Sequence, residues 1–178
     1  MYNIDNDEEV IEMIYVIIES IILCILFTFV IIASYKKNPL SGLHNLPIKI
    51  QQRVQELDEY KDIKPEKILT TKERIIKKLP ALVIVFVLFT SIVYLDGARD
   101  FKTGFVYSFT IWFIIKMYVV LILDCLWYAH CKEYWIKGTE DLESEYKNYN
   151  FYLSSVPRSL FVGFIVSLLI GVLIEIFI

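Results

Sequence analysis

The sequence predicts an all-α polytopic membrane protein with four transmembrane helices and two cytoplasmic amphipathic helices. Of its 178 residues, 56% are hydrophobic, above the roughly 45–50% of soluble domains. The apolar residues are concentrated in four runs, each close to the about 20 residues that a helix needs to cross the hydrocarbon core. Backbone amides in lipid must be paired, and runs of this length exceed barrel strands. A conventional soluble enzyme, a disordered chain and a disulfide-rich secreted module are therefore excluded.

One membrane domain over residues 1–178 contains these spans, which we place at approximately 12–35, 79–96, 104–130 and 158–178. Glu19 interrupts the first run, Lys116 and Asp124 lie in the third, and Glu175 lies near the end of the fourth. The acidic start of the chain is unlike the basic start of a cleaved signal peptide. We therefore expect the first run to be a retained helix.

The distribution of Lys and Arg predicts the orientation of the spans. The N-terminus before the first run has no basic residue, whereas the connection between runs one and two has eleven: Lys36, Lys37, Lys49, Arg53, Lys61, Lys64, Lys67, Lys72, Arg74, Lys77 and Lys78. Basic connections stay on the cytoplasmic side of a membrane. Segments 36–78 and 131–157 are therefore predicted to be cytoplasmic, with both termini outside.

Each cytoplasmic segment contains an apolar stripe at helical spacing. In the first segment the stripe follows Pro47, which can open a helix; it consists of Leu46, Ile50, Val54 and Leu57. In the second it consists of Leu142, Tyr146, Tyr149 and Leu153. Such stripes predict amphipathic helices on the inner leaflet or against the bundle. A solvated basic anchor for anionic lipid is the simpler interpretation, and a platform for a partner protein is the alternative.

Ionisable groups inside spanning helices are costly, so each needs a partner, water or a function. Glu19 on the first span and Lys116 on the third are predicted at depths that differ by a few ångströms, at roughly 1.5 Å per residue. We therefore predict a buried Glu19–Lys116 ion pair that holds the two helices together. A role in proton or ion transport is the less favoured alternative.

The inner end of the third span carries the densest polar and aromatic cluster. Asp124, Trp127 and His130 lie there together with Cys125, Tyr128 and Cys131, and His44 of the other cytoplasmic segment can approach them. An aromatic girdle with a satisfied Asp and His is the simpler interpretation. Metal binding, haem ligation and a histidine base acting on a lipid headgroup are the alternatives. The spacing matches no established metal motif, so we assign no metal ligand and no cofactor.

Several of these residues also carry a resemblance. Asp124-x-x-Trp127-x-x-His130, followed by Gly138-Thr139-Glu140-Asp141 and Glu145-Tyr146, resembles a group of small bacterial four-span membrane proteins, as do the helix after Pro47 and the Gly97-Ala98-Arg99 turn. The activity of that group is uncharacterised, and some members carry transporter-permease labels. The resemblance implies a multi-pass protein of the bacterial inner membrane. It also directs attention to Asp124, Trp127, His130 and Glu140 as ligand-binding candidates.

The sequence contains no Walker A loop, dinucleotide glycine pattern, HExxH or GxSxG motif, each of which would indicate a specific chemistry. We therefore expect a non-enzymatic membrane component, transport-associated or ligand-binding, with a polar site at the cytoplasmic face. The alternative is a membrane-embedded enzyme acting on a lipid or other amphiphile, with His130 or His44 as base and Asp124 as orienting group. The expected partners are the lipid bilayer and either a second copy or a larger membrane protein, and no nucleic acid.

Overall fold

The computed structural model describes residues 4–61 and 71–177, and the regular structure in these ranges is helical. Its α-helices are α1 (Ile4–Lys37), α2 (Ile48–Glu56), α3 (Asp58–Lys61), α4 (Thr71–Leu95), α5 (Phe101–Tyr118), α6 (Glu143–Tyr146), α7 (Tyr149–Leu153) and α8 (Ser155–Phe177). Helix α5 continues directly into a π-helical segment, Val119–Tyr128. Short 3₁₀ helices cover Pro39–Asn45, Lys132–Tyr134 and Glu140–Leu142. No strand occurs in the described ranges, so the all-α prediction is confirmed.

Three helical stretches of the described chain are long and apolar enough to cross a membrane. They are Val10–Lys37, Phe101–Tyr128 and Tyr149–Phe177, and only 17%, 22% and 28% of their most apolar windows are buried inside the protein. They correspond to the first, third and fourth predicted spans. In the region of the second predicted span, α4 contains the shorter apolar stretch Val83–Leu95. Residues 62–70, in the middle of the predicted 36–78 segment, lie outside the described residues.

The chain divides into two compact units. The first unit comprises Met1–Cys24, Thr71–Lys116 and Pro157–Ile178, and the second comprises Ile25–Thr70 and Met117–Val156. Each unit has a hydrophobic core of its own, with a different composition. This division concerns the candidate sites directly, because the predicted cluster at the inner end of the third span falls in the second unit.

The core of the first unit is aliphatic and depends on close helix contacts. Val16 of α1, Val93 of α4, Ile111 of α5 and Ile170 of α8 are fully buried in it. Gly171 of α8 lies so close to α5 that an added Cβ would stand 2.9 Å from the backbone oxygen of Phe101. Small residues at helix contacts are typical of membrane bundles, because they let two backbones approach closely.

The core of the second unit is mainly aromatic and lies against α2. Ile50 and Val54 of α2 are buried in one cluster with Tyr128, Trp135 and Tyr146. The spacing of four residues places Ile50 and Val54 on the same side of the helix. The first apolar stripe is therefore buried against residues of the second predicted cytoplasmic segment.

The residues of the second apolar stripe do not form the single continuous helix that the sequence predicts. Residues 140–153 form a 3₁₀ turn and two short helices, α6 and α7, separated at Lys147 and Asn148. The Asn148 side chain accepts a hydrogen bond from the backbone N–H of Phe151 and so begins a new helix there. Asparagine favours such local bonds over a continuing helix, and this explains the interruption.

Candidate functional site

The predicted cytoplasmic cluster is built on the π-helical segment Val119–Tyr128. Its wider turn is visible at its end, where the N–H of Ala129 donates to the oxygen of Asp124, five residues earlier, at 3.1 Å. π-Helical segments are rare in proteins, and many of those that occur lie at functional sites. They also shift side chains away from the positions that a regular helix gives. As a result Tyr128 is buried and Asp124 and Trp127 are half-buried, whereas His130 is exposed.

Asp124 lies in a group of tyrosines. Its carboxylate is close enough to Tyr35, Tyr128 and Tyr152 to act on them electrostatically. The ring of Tyr35 stacks on that of Tyr128 with centroids 4.9 Å apart, and Trp127 packs against the same two rings. The Tyr128 hydroxyl is buried without a hydrogen-bond partner among the described residues. This is an aromatic environment with a single acidic group.

A second set of aromatic contacts joins residues 135–146. The rings of Trp135 and Tyr146 stack with their centroids 4.3 Å apart and only 2° between their planes. The Trp135 indole N–H donates to the backbone oxygen of Tyr128 at 3.0 Å. The Tyr146 hydroxyl accepts from the Ile136 N–H at 3.2 Å and lies 2.7 Å from the hydroxyl of buried Thr139. Burial raises the pKa of Tyr146, so this hydroxyl stays neutral.

Two ion pairs connect α2 to the segment around α6. Lys49 contacts Glu145 at 2.5 Å, and Arg53 contacts Asp141 at 2.6 Å. Close by, Glu143 accepts hydrogen bonds from Lys132 and Lys147, which lower the pKa of its carboxyl to about 2. Except for Glu145, whose side chain is 15% exposed, the groups in these pairs are in substantial contact with solvent, so each pair contributes little to stability.

The two histidines and Glu140 have separate surroundings. The Nδ1–H of His130 donates to the backbone oxygen of Leu126 at 3.0 Å, and its Nε2 lies 3.3 Å from the hydroxyl of Tyr149. Neither of these bonds reaches Asp124. His44 is exposed on the Pro39–Asn45 helix, and Glu140 accepts from the Gly138 N–H at 2.8 Å. The catalytic and ligand-binding roles of these residues remain predictions.

The first unit contains a carboxyl cluster at the turn that joins α4 to α5. Glu19 of α1 lies close enough to Asp96, which follows α4 directly, to act on it electrostatically, and one buried oxygen of each carboxyl group has no hydrogen-bond partner among the described residues. Glu12, also on α1, accepts a hydrogen bond from the Tyr107 hydroxyl at 2.6 Å. Gly97 has a φ of +96°, and the end of the flexible Glu12 side chain lies where a Cβ at this position would stand. The turn thus needs glycine for its backbone conformation, whereas the Glu12 side chain could move aside.

Burial, followed by the negative charge of Glu19 and a smaller effect of Glu12, raises the pKa of Asp96 to about 6. Asp96 could not be singled out from the sequence, because it lies in a turn, where an acidic residue is ordinarily solvated. The pairing of Glu19 with Lys116 remains a prediction.

The part of the chain that the structure describes contains no group of three or more His, Cys, Asp or Glu side chains arranged to hold a metal ion. Comparison with known proteins gave no matching family model, no matching curated protein and no matching solved structure. The function is therefore argued from the geometry of the two units themselves.

Proposed function

We propose that this chain is a four-span integral membrane protein of the bacterial inner membrane, with both termini outside. In this proposal it is a non-enzymatic component, transport-associated or ligand-binding, whose recognition surface lies on the cytoplasmic segments 36–78 and 131–157. The resemblance to small bacterial four-span proteins favours the same location. Its proposed partners are the lipid bilayer and either another copy of the chain or a larger membrane protein.

The observation that carries the proposal is the exposure of apolar side chains along the long helices. Phe29 and Val30 of α1 are 69% and 64% exposed, and Phe161 and Phe177 of α8 are 66% and 80% exposed. Large contiguous apolar surfaces are rare on proteins that are surrounded by water. A lipid environment accounts for them without requiring a further partner.

The second span of the proposal is α4. It is 25 residues long, which corresponds to roughly 37 Å at about 1.5 Å per residue and is enough to cross a bilayer. Its described stretch Val83–Leu95 contains no charged residue, and Val83, Ile84 and Leu88 are more than half exposed. These features favour a lipid-facing helix.

The non-enzymatic function is favoured by the position of His130. A catalytic base that acts on a lipid needs a free ring nitrogen directed at the substrate. Here Nδ1 is bound by the Leu126 carbonyl, and Nε2 faces the Tyr149 hydroxyl on an exposed surface. Because a carbonyl only accepts, Nδ1 carries the proton, and in the neutral ring Nε2 accepts from Tyr149. The hydrogen bonds of His130 thus fix the orientation of its ring.

The proposed orientation of the helices in the membrane can be tested by cysteine labelling of intact cells, in a variant that lacks Cys24, Cys125 and Cys131. Glu59→Cys places a thiol on an exposed position of α3, and Lys102→Cys places the matched control on an exposed position of the α4–α5 connection. An impermeant reagent should label the Lys102 variant in intact cells and the Glu59 variant only after the cells are opened. Labelling of the Glu59 variant alone in intact cells would contradict the proposed orientation.

The recognition surface can be tested by purification from native membranes with mass spectrometry of bound proteins and lipids. His130→Ala and Glu140→Ala change exposed groups of the second unit, and Lys102→Ala is the matched control. A molecule that is depleted at least about tenfold in the first two variants and retained in the control, a loss of about 1.4 kcal/mol, supports the proposed surface. A binding partner that depends on Lys102 alone would place recognition in the first unit.

A further inference from the structure

We propose that the first unit binds a single phospholipid molecule, with an acyl chain in a groove between α4 and α8 and with the phosphate on Arg99 of the turn between α4 and α5. The site is separate from the cytoplasmic segments, and it goes beyond the general contact of the long helices with the bilayer. It rests on the membrane location proposed above, and in the proposed orientation it lies in the outer leaflet.

The groove is an apolar cavity at the surface of the first unit. It has a volume of about 380 Å³ and is lined by Phe86 and Val87 of α4 and by Leu173, Ile174 and Phe177 of α8. Val87 and Phe177 are 55% and 80% exposed, so the cavity is open to the surroundings. Its volume is within the range of about 300–1,000 Å³ that is typical of ligand sites. Apolar walls lose dispersion contacts when nothing fills the space between them.

The two small hydroxyl groups that line the groove are already hydrogen-bonded within α4. Thr90 donates to the backbone oxygen of Phe86, and Ser91 donates to that of Val87, each at 2.8 Å. Neither hydroxyl therefore offers its proton to a ligand. A polar ligand would lose its hydration here without regaining hydrogen bonds. A hydrocarbon chain has no such cost, so these walls favour an acyl chain.

One end of the groove is polar. Tyr94, the last residue but one of α4, lines the cavity and lies about 12 Å along the helix from Phe86, at about 1.5 Å per residue. The guanidinium carbon of Arg99 lies 4.4 Å from the centre of the Tyr94 ring. A chain that extends along the groove from Phe86 to Tyr94 therefore ends beside a cation. This combination of an apolar groove and an adjacent positive charge complements a phospholipid.

Arg99 is held in place and still has donors for a ligand. Its Nη1 donates to the backbone oxygens of Tyr94 and Ala98, at 2.7 Å and 2.9 Å, and the side chain is exposed. The guanidinium has further N–H donors on Nη2 and Nε. In the part of the chain that the structure describes, these donors make no hydrogen bond and no carboxylate forms an ion pair with Arg99. Arginine binds phosphate in a bidentate manner through such donors.

Two exposed carboxylates at the same end of the unit bind elsewhere. Asp100 accepts a hydrogen bond from the Thr103 N–H, and Glu175 of α8 accepts one from the Phe101 N–H. Both bonds attach these carboxylates to the start of α5 rather than to Arg99. The guanidinium therefore remains available to an anion from outside the chain.

The size of the groove favours a lipid chain over a helix of a second copy. A helix with its side chains is about 10 Å wide and rises about 5.4 Å per turn, so one turn occupies roughly 420 Å³. This is more than the whole cavity of about 380 Å³. A single acyl chain is much narrower and can lie along the groove.

The first test is native mass spectrometry of the purified full chain in detergent. The probe is phosphatidylglycerol, and the comparison is diacylglycerol with the same acyl chains. We expect one phosphatidylglycerol per chain and at least about tenfold weaker binding of diacylglycerol, because it lacks the phosphate. Equal binding of the two lipids would overturn the role of the phosphate. Displacement of the lipid by inorganic phosphate at the same concentration would overturn the role of the groove.

The second test changes the cation. Arg99→Gln should weaken the binding of phosphatidylglycerol at least about tenfold. Lys102→Gln is the matched control, because Lys102 is an exposed cation in the first turn of the neighbouring α5, and this variant should bind like the wild type. Equal losses in the two variants would show that only the general charge of this end matters, and would contradict the proposed site.

The third test fills the groove and leaves Arg99 unchanged, since Arg99 also binds two backbone oxygens near the end of α4. Ser91→Phe and Val87→Phe each add a ring at an exposed position that lines the cavity, and Leu88→Phe adds the same ring at an exposed position of α4 outside it. The first two variants should lose at least about tenfold in affinity, and the third should lose none. Undiminished binding in both groove variants would overturn the proposal.

The same spectra distinguish a lipid from a second copy of the chain. A dimer that Ser91→Phe dissociates, with lipid binding unchanged, would assign the groove to a second copy instead. The membrane location has its own test in the labelling of Glu59→Cys and Lys102→Cys. Absence of lipid binding together with the expected labelling would therefore reject this site and leave the proposed function intact.

Discussion

The two units of this protein are stabilised in different ways. The first unit packs mainly aliphatic side chains, phenylalanine rings and glycines of long helices, and its acidic groups Glu12, Glu19 and Asp96 lie near one turn. The second unit packs tyrosine and tryptophan rings around hydrogen-bonded hydroxyls and is bordered by ion pairs. A helix surrounded by lipid gains little from burying further apolar surface, so close van der Waals contact must stabilise it. A unit in contact with water can use the hydrophobic effect and satisfied polar groups together.

The largest expected effect is on the glycine contact of the first unit. Gly171→Leu should lower the free energy of unfolding by about 3 kcal/mol, because the new side chain meets the Phe101 backbone, which cannot move aside. Chemical unfolding in micelles measures the change. Val172→Leu, at an exposed neighbouring position of α8, is the matched control and should be nearly neutral. Comparable losses in the two variants would show that the close contact does not stabilise this unit.

A smaller effect is expected at the aromatic core of the second unit. Tyr146→Phe keeps the stacking on Trp135 but removes the hydroxyl that accepts from the Ile136 N–H. The buried N–H then has no acceptor, at a cost of about 2 kcal/mol in the free energy of unfolding. Near-ultraviolet circular dichroism during unfolding reports on this region through Trp135.

The control for this prediction is Tyr149→Phe, which removes an exposed hydroxyl with a long contact to His130. It should change the free energy of unfolding by less than about 0.5 kcal/mol. If the two tyrosine variants were equally destabilised, burial of the Tyr146 hydroxyl would not be what distinguishes them.

The smallest effect is expected for the ion pairs at the surface of the second unit. Arg53→Gln removes the contact with Asp141, whose side chain is 59% exposed, and should cost about 0.5 kcal/mol. High salt should reduce the difference between this variant and the wild type, since exposed charges are screened. Thermal unfolding at two salt concentrations measures both quantities. A loss above about 2 kcal/mol, independent of salt, would indicate a buried pair.

The helical class and the positions of the long helices could be predicted from the sequence, because runs of apolar residues have few other structural solutions. The start of α2 after Pro47 was predicted for a similarly local reason. The π-helical segment could not be predicted. The spacing of Asp124, Trp127 and Tyr128 fits a regular helix equally well, and nothing in it indicates the wider turn.

In the candidate sites, too, some features could be predicted from the sequence and others could not. Asp124, Trp127 and His130 could be selected because polar and aromatic residues at the end of an apolar run stand out in composition. The hydrogen bonds of His130 to Leu126 and Tyr149 could not be foreseen, and neither could the stacking of Trp135 on Tyr146 across an intervening turn. Glu19 and Asp96, which are distant in the sequence, lie close enough to interact electrostatically. No local pattern encodes such a contact.

The sequence by itself determined that this chain is helical and that its long helices are apolar, because both properties follow from side chains acting one at a time on their own backbone and solvent. Tertiary structure alone decided which polar groups became buried together, as at Asp96 and at Tyr146. The environment of a carboxyl or hydroxyl group depends on side chains brought to it from distant parts of the chain. Its charge state and its hydrogen bonds are therefore properties of the folded protein.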